Sequence, residues 1–239
     1  MPMATRLTPE ELEPLRRLTT CQVADAIEIL DVRLRNEGFM DSSVHCLFPH
    51  LPSMVGYAVP ARIRTVEPPM SGRAYPDRTD WWNYLLTIPA PRVVVLEDMD
   101  RRPGFGSCAG EVHSHIFKAL GCAGLITNGA VRDLEAAESL GFCLFAGNVA
   151  VSRAYYHMVE FDVPVEVGSL KVQPGDLLHG DRHGVVNIPA AIAREIPRAA
   201  EKVAAAEQKV IEVADSPNPS LDALREAVQL SVQRGELYR

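Results

Sequence analysis

Apolar and polar positions along this chain switch between helical and strand-like periods, and the switches mark out its elements. Thr8-Pro9-Glu10-Glu11 has the spacing of a capping box with proline in the first turn, which predicts a helix start, and a second helix is expected from about Thr20 to Leu30. Met54 to Val66 is rich in β-formers, with a sheet edge or bend expected at Pro60 because proline donates no ladder hydrogen bond. Pro68 to Asp80 reads as loop. Trp81-Trp82-Asn83-Tyr84-Leu85-Leu86 then fits a short helix capped by Thr79 or Asp80, its rings either packed on the core or lining a pocket.

Two units of one grammar follow. Arg92 to Leu96 is a short β-branched run closed by Glu97-Asp98-Met99-Asp100; a glycine-bearing loop runs from Arg101 to Gly110, and Glu111 to Leu120 has helical spacing. Gly124-Leu125-Ile126-Thr127-Asn128-Gly129-Ala130-Val131-Arg132-Asp133 reads as strand, turn and charged pair, with the amphipathic stretch Leu134 to Gly141 as the next helix. If the two strands are parallel neighbours, their loops lie side by side and Glu111 shares a crevice with Arg132-Asp133. Loops at the carboxyl ends of parallel strands are where α/β proteins bind ligands, because helix N-termini there offer unpaired N–H groups to anions. The plainer reading is a helix cap at Asp133 and a surface charge at Arg132. The loop Gly104-Phe105-Gly106-Ser107-Cys108-Ala109-Gly110 is a poor dinucleotide or phosphate loop: its last two glycines are four apart and no Lys-Ser/Thr follows. Its amides still suit a smaller anion such as a carboxylate.

From Pro164 to Pro189 short β-rich pieces are separated by Pro174-Gly175-Asp176 and Asp181-Arg182-His183-Gly184, a hairpin-like sequence with His183 in a turn. Pro189 to Ala214 is rich in alanine and charge with helical spacing, interrupted at Pro197. Pro217-Asn218-Pro219 breaks it, and a last helix is expected from Ser220 to Arg234, ending at Gly235. Such a tail packs on its own domain or reaches a neighbouring subunit.

Composition narrows the classes. A chain of 239 residues can bury a large core, and a single α/β domain with a helical C-terminal extension is the simplest division. No apolar run approaches the roughly 20 residues needed to span a bilayer, and the charged, proline-containing start lacks a signal peptide's apolar region, so a cytoplasmic location is expected. Cys21, Cys46, Cys108, Cys122 and Cys143 are odd in number, scattered and without a C-x-x-C pair, which argues against a disulfide framework or zinc knuckle. The formal charge of −7 and the lack of a dense basic run argue against nucleic acid as a direct ligand.

Several motifs in order carry a resemblance. Thr20-Cys21-Gln22-Val23-Ala24-Asp25-Ala26, Gly110-Glu111, Gly121-Cys122-Ala123-Gly124, Asn128-Gly129-Ala130-Val131-Arg132-Asp133, Val172-Gln173-Pro174-Gly175-Asp176-Leu177 and Asp181-Arg182-His183-Gly184-Val185-Val186 together resemble the RraA-like family, proteins related to the regulator of ribonuclease E activity whose enzymatic members are 4-hydroxy-4-methyl-2-oxoglutarate aldolases. The resemblance covers roughly residues 18–190. It implies a compact α/β fold with a swivelling β/β/α core and flanking N- and C-terminal helices, assembly as a homotrimer or hexamer, and active sites at subunit interfaces. The activity implied is that of a metal-dependent aldolase, a carbon–carbon lyase cleaving a 4-hydroxy-2-oxo acid to pyruvate, with oxaloacetate decarboxylase side activity. The alternatives are a non-catalytic protein-binding regulator of a ribonuclease, or a related lyase with another substrate.

The chemistry fits the residue types. Cleavage beside an α-keto acid leaves an enolate of pyruvate, whose developing charge a divalent ion such as Mg²⁺ or Mn²⁺ stabilises as a Lewis acid without a lysine Schiff base. The resemblance assigns the direct metal contact to Asp133 and a water-mediated one to Glu111, gives Arg132 the keto or enolate oxygen, and places the substrate carboxylate on amides near Gly110, Glu111, Val112 and His113. It also brings an acid from a neighbouring subunit's C-terminal helix toward the metal's waters, with Glu207 the first candidate and Glu212 the second; as ordinary helix residues both are solvated charges. The chain departs from the family along Glu111, His113 and His115, where small or aliphatic residues are usual. Glu111 and His115 are four apart on one helix face, so His115 is either a further metal or substrate contact or a histidine with no ligand role.

Overall fold

The computed structural model of the protein describes residues 6–69 and 78–233. In chain order its elements are α1 (Pro9–Arg16), α2 (Thr20–Leu30), β1 (His45–Cys46), β2 (Met54–Arg64), α3 (Arg78–Thr87), β3 (Arg92–Asp98), β4 (Ser107–Ala109), α4 (Glu111–Ala119), β5 (Cys122–Val131), α5 (Leu134–Ser139), β6 (Cys143–Val149), β7 (His157–Phe161), β8 (Val165–Val167), β9 (Leu170–Val172), β10 (Leu177–Asp181), β11 (Gly184–Ile188), α6 (Ile196–Ala214) and α7 (Leu221–Gln233). The two N-terminal helices start as their spacing requires. Thr8 and Glu11 exchange side-chain-to-amide bonds across the first turn of α1, and Thr19 and Gln22 do the same for α2. The hairpin between β10 and β11 adds a second cap to α2, because Asp181 Oδ2 accepts the Thr20 amide at 3.0 Å.

One sheet runs in the order β1-β6-β5-β3-β2-β10-β11, with β4 added to β5 and β7 to β2. Its centre, β2-β3-β5-β6, is parallel, and its flanks are antiparallel. The two ends nearly meet: Phe39 bridges Val186 of β11, and a few residues later His45 pairs with Ala146 of β6. Side-chain alternation then sorts the core. Val93 and Val95 of β3 point inside the curled sheet with Met54, Ala58, Ile126 and Phe145, and the β8–β9 hairpin closes this space with Val165, Val167, Leu170 and Val172. Val94 and Leu96 point outward onto α4 and α5, against Phe117 and Phe142. Val55 and Tyr57 point outward onto α1, α2 and α6. Each buried Leu or Phe contributes about 1.5–3 kcal/mol, so both outer helical layers are held by the pattern that forms the strands.

Several expectations are corrected. Pro60 is neither at a sheet edge nor at a bend, since it sits in the middle of β2 beside Val95 of β3. On its other side β10 pairs only as far as Tyr57 and β7 begins at Ala61, so the missing N–H falls in the gap between two partners. Asn128-Gly129 is not a turn, because β5 continues to Val131. Pro197 does not interrupt a helix but opens α6 in its first turn. Thr79 and Asp80 lie inside α3 rather than capping it, and the Trp81 ring packs 5.9 Å from both Tyr84 and Phe161, as core. The centre of the expected 68–80 loop and the end of the last helix at Gly235 lie outside the described residues. Among the described residues no helix is long and apolar enough to cross a membrane.

Candidate active site

Strands β3, β5 and β6 are parallel, so the segments following them gather at one end of the sheet. Past Leu96 and Thr127 the pairing of β3 with β5 ends, and the Asn128 side chain takes over the ladder: its Oδ1 accepts the Asp98 amide at 2.7 Å and its Nδ2 donates to the Asp98 carbonyl at 3.1 Å. Asp98 is buried, which pushes its carboxyl up, and the amides of Gly104 and Asp100 donate to it, so it clasps the 99–106 loop. Below it, burial pushes the Asp100 carboxyl up, but the Thr65 and Val66 amides and Arg64 outweigh this and hold it below its usual value. With β3 peeled away, the short β4 pairs with the end of β5, and the Arg132 amide donates to the Ala109 carbonyl at 2.9 Å. This added strand delivers Gly110 and the start of α4 against Arg132-Asp133.

Asp133 is the hinge of the arrangement. Its backbone is left-handed (φ 53°, ψ 49°), a conformation that aspartate adopts more readily than most non-glycine residues and that Asp31 also holds at the end of α2. The carboxylate does not cap α5, the helix that follows it. Asp133 Oδ2 instead accepts the Glu111 amide of α4 at 3.1 Å and lies 3.3 Å from Arg132 Nε. Arg132 Nη1 reaches the Val151 carbonyl of the loop after β6, at 3.3 Å. Gly110 has to be glycine for this contact, because a Cβ there would sit 2.4 Å from Asp133 Oδ2. Asp133 thus closes a helix start, but that of the neighbouring unit's helix, at the head of the crevice.

The other expected residues divide. Glu111 joins Arg132 and Asp133 through its amide, which Asp133 occupies, so that amide is removed from the set expected to hold a substrate carboxylate; Val112 follows it in the first turn of α4. Glu111 and His115 both lie on the exposed face of α4, and no hydrogen bond joins them. The His113 ring turns to Tyr156 and Phe117, with centroids 5.8 and 6.0 Å away, and packs α4 onto the segment before β7. Glu207 lies on α6 in the other helical layer, facing Asp25 of α2; burial first, then the Glu207 and Glu28 charges, push the Asp25 carboxyl up to about 6. Glu212 is exposed and accepts from Gln208 on the same helix. Sequence reasoning missed the Asp98–Asn128 clasp, for which the Asn-Gly pair gave a turn signal instead.

Among the described residues no three His, Cys, Asp or Glu side chains form a metal-holding group. Asp133 nonetheless has a second carboxylate oxygen with no hydrogen bond among the described residues, and a single hard oxygen donor suits an ion that keeps several waters, as Mg²⁺ does. The segments around it expose apolar side chains, Phe105, Val112, Val149, Tyr155 and Val151, whose carbonyl holds Arg132, together with the charged Arg101, Arg102 and Arg153.

Comparison with known proteins agrees with this architecture. A protein of Pseudomonas syringae of uncharacterized function has a solved structure that superposes with a TM-score of 0.71 at 23% identity, covering 95% of this chain and 96% of that one. The structure of Streptomyces coelicolor RraAS2, described as an unusual member of the RNase ES inhibitor RraA protein family, superposes at 0.66 with 23% identity over 85% of this chain and 96% of its own. In sequence, a Halalkalibacterium halodurans protein named "Putative 4-hydroxy-4-methyl-2-oxoglutarate aldolase" is 32% identical over 95 residues, 39% of this chain and 45% of that protein. An uncharacterized protein of Methanocaldococcus jannaschii is 33% identical over 136 residues, 56% of this chain and 65% of its own length. The chain thus spans less than two thirds of either relative. The family model described as "RraA-like: Aldolase/RraA" matches residues 20–187, most of the sheet and all of the crevice described above, and the chain belongs to that family.

Proposed function

We propose that this chain is a divalent-metal-dependent lyase that cleaves a 4-hydroxy-2-oxo acid to pyruvate, with oxaloacetate decarboxylation as a side activity. The observation that carries the reading is the left-handed Asp133, its carboxylate tied to the α4 amide and set beside a guanidinium at the open end of the sheet. A carboxylate and a guanidinium fixed to one another at a helix start suit metal and oxyanion chemistry, a constellation that a pure binding surface has no need of.

In the cleavage direction the C3–C4 bond breaks, the C4 hydroxyl loses its proton and becomes a carbonyl, and the bond's electron pair passes to the C2 oxygen as an enolate. Protonation at C3 then gives pyruvate. Arg132 is always cationic, so its attraction for the C2 oxygen grows as charge develops there, which favours the transition state over the ground state. The first turn of α4, with the Val112 amide and the positive end of the helix, favours the substrate's carboxylate. Asp133 would hold Mg²⁺ or Mn²⁺, with Glu111 reaching it through water, and the bound ion supplies Lewis-acid polarisation of the keto oxygen. Loss of CO₂ from oxaloacetate leaves the same enolate, hence the side activity. The exposed apolar side chains of the surrounding segments support a homotrimer or hexamer in which a neighbour covers the crevice and brings Glu207 to it.

Incubating the purified protein with Mg²⁺, oxaloacetate and a panel of 4-hydroxy-2-oxo acids, while following pyruvate, tests the reading. Release that EDTA abolishes and Mn²⁺ restores is expected, from a species that sediments as a trimer or larger. Absence of pyruvate from every substrate would remove the lyase and leave a regulator acting through protein contacts.

A further inference from the structure

Where the two ends of the sheet meet, the segment 39–46 and the β10–β11 turn enclose a second depression of about 300 Å³, which shares no residue with the site at Arg132-Asp133. Three side chains able to carry positive charge line it: His45 of β1, and Arg182 and His183 of the turn. His183 is oriented from behind. Its Nδ1 lies 3.1 Å from Asp181 Oδ1, and its amide donates to that oxygen at 2.8 Å. Asp181 is buried; burial pushes its carboxyl up, but the His183 and Thr20 amides outweigh this and keep it an ionised acceptor. The Nδ1 proton therefore points at Asp181, and Nε2 is left for a ligand, donating to an anion when the ring carries both protons. The side chains of His45 and Arg182 make no hydrogen bond or ion pair among the described residues.

Asp41 lines the same depression and is ionised, its carboxyl held below its usual value by the side-chain hydrogen bonds it accepts, but those bonds occupy both of its oxygens. Asp41 accepts from the Ser43 amide and hydroxyl and from the Ser169 hydroxyl. The Cys46 thiol is pushed up by burial and is neutral. Met40, Ser42, Val44 and Gly184 complete the wall without charge. In a chain of net charge −7, a guanidinium and two imidazoles line one cavity, beside a single ionised carboxylate whose oxygens are turned to Ser43 and Ser169.

We propose that this seam depression binds a small phosphate, free or as a monoester, with Arg182 as the forked donor and His45 and His183 closing on the remaining oxygens. The site is separate from the proposed lyase chemistry, and its test needs no turnover. Calorimetric titration of inorganic phosphate and of glycerol phosphate into the full chain in EDTA distinguishes the two sources, the tighter ligand identifying which is read. Saturable binding is expected, weakened by about tenfold or more in Arg182→Gln, the loss of one charged hydrogen bond, and by a lesser factor in His45→Gln. Arg132→Gln should bind as wild type does. No saturable binding of either ligand, equal affinity in Arg182→Gln, or loss of binding in Arg132→Gln would each overturn the proposal, the last by moving the anion to the crevice at α4.

Discussion

Gly110→Ala puts the construction of the crevice to a direct test. The backbone there is extended (φ −156°), which alanine adopts freely, so the whole effect must come from the added methyl. That methyl would lie 2.4 Å from Asp133 Oδ2, whereas ordinary contact begins at 3.4 Å, so the carboxylate must retreat by 3.4 − 2.4 = 1.0 Å. A misplacement of about 1 Å in a reacting site costs roughly a hundredfold in rate. The retreat also breaks the Glu111 amide bond, a charged hydrogen bond worth about 1.5–3 kcal/mol when dry; with the Asp133 side chain 39% exposed, water recovers part of this, and about 1 kcal/mol or a few degrees in Tm is expected. Steady-state oxaloacetate decarboxylation beside thermal unfolding separates the two effects: a soluble, folded protein about a hundredfold slower is the expected result. The methyl would also lie 3.0 Å from Arg132 Cγ, but its severest overlap is with the carboxylate, so Gly110→Ala should lose most of its effect in an Asp133→Ala background. A Gly110→Ala protein with the wild-type rate would refute the reasoning, since Asp133 would then have no need of its present position.

Arg132→Ala and Asp133→Ala should each lower decarboxylation by at least about a hundredfold, the scale of losing one oxyanion-type contact, and full activity in Arg132→Ala would sink its role. His115→Ala should weaken Mn²⁺ binding or shift substrate preference by about 10–100-fold if the exposed Glu111–His115 face serves the site; identical titrations and substrate profiles would make His115 a plain surface residue. Stability should fall in mild acid through His179, which is fully buried, with Nε2 3.0 Å from the Leu15 carbonyl and Nδ1 3.1 Å from the Thr20 hydroxyl. Burial holds its folded pKa below the unfolded value of about 6.5, so the unfolded chain takes the proton first and stability is lost as pH falls below about 6.5, by up to about 1.4 kcal/mol per unit until the folded group also titrates. Denaturant unfolding at a series of pH values checks this, and an unchanged midpoint in His179→Gln relative to wild type across that window would contradict it.

The elements were legible wherever one residue type has one local meaning. Thr8 with Glu11 and Thr19 with Gln22 are local exchanges three residues apart, and both helices begin at the residue their caps dictate. The β-branched run from Arg92 and the apolar run into Val131 read as strands, and they pair as the parallel neighbours on which the shared crevice was conditional. What failed were positions where a distant partner reverses a local signal. Pro60 reads as an edge until β10 and β7 share one side of β2 and leave a gap at its missing donor. Asn128-Gly129 reads as a turn until Asn128 bonds the Asp98 backbone and carries the ladder onward.

The same distinction runs through the crevice. That Glu111, Arg132 and Asp133 come together follows from two strand–loop–helix units side by side, and residue spacing was enough to expect it. Which atom of each residue meets which was not available, because it depends on β4, three residues of Ser-Cys-Ala with no alternation to announce a strand, pairing beyond the point where β3 departs. Adjacency in sequence favours Asp133 as the cap of α5, the helix it precedes. A left-handed backbone turns its carboxylate to α4 instead, so the acid nearest in sequence to one helix closes the start of another. The carboxylate, the guanidinium and the head of α4 are thereby fixed to one another by a hydrogen bond, an ion pair and a missing methyl, while the substrate-facing side of each is left to whatever the crevice binds.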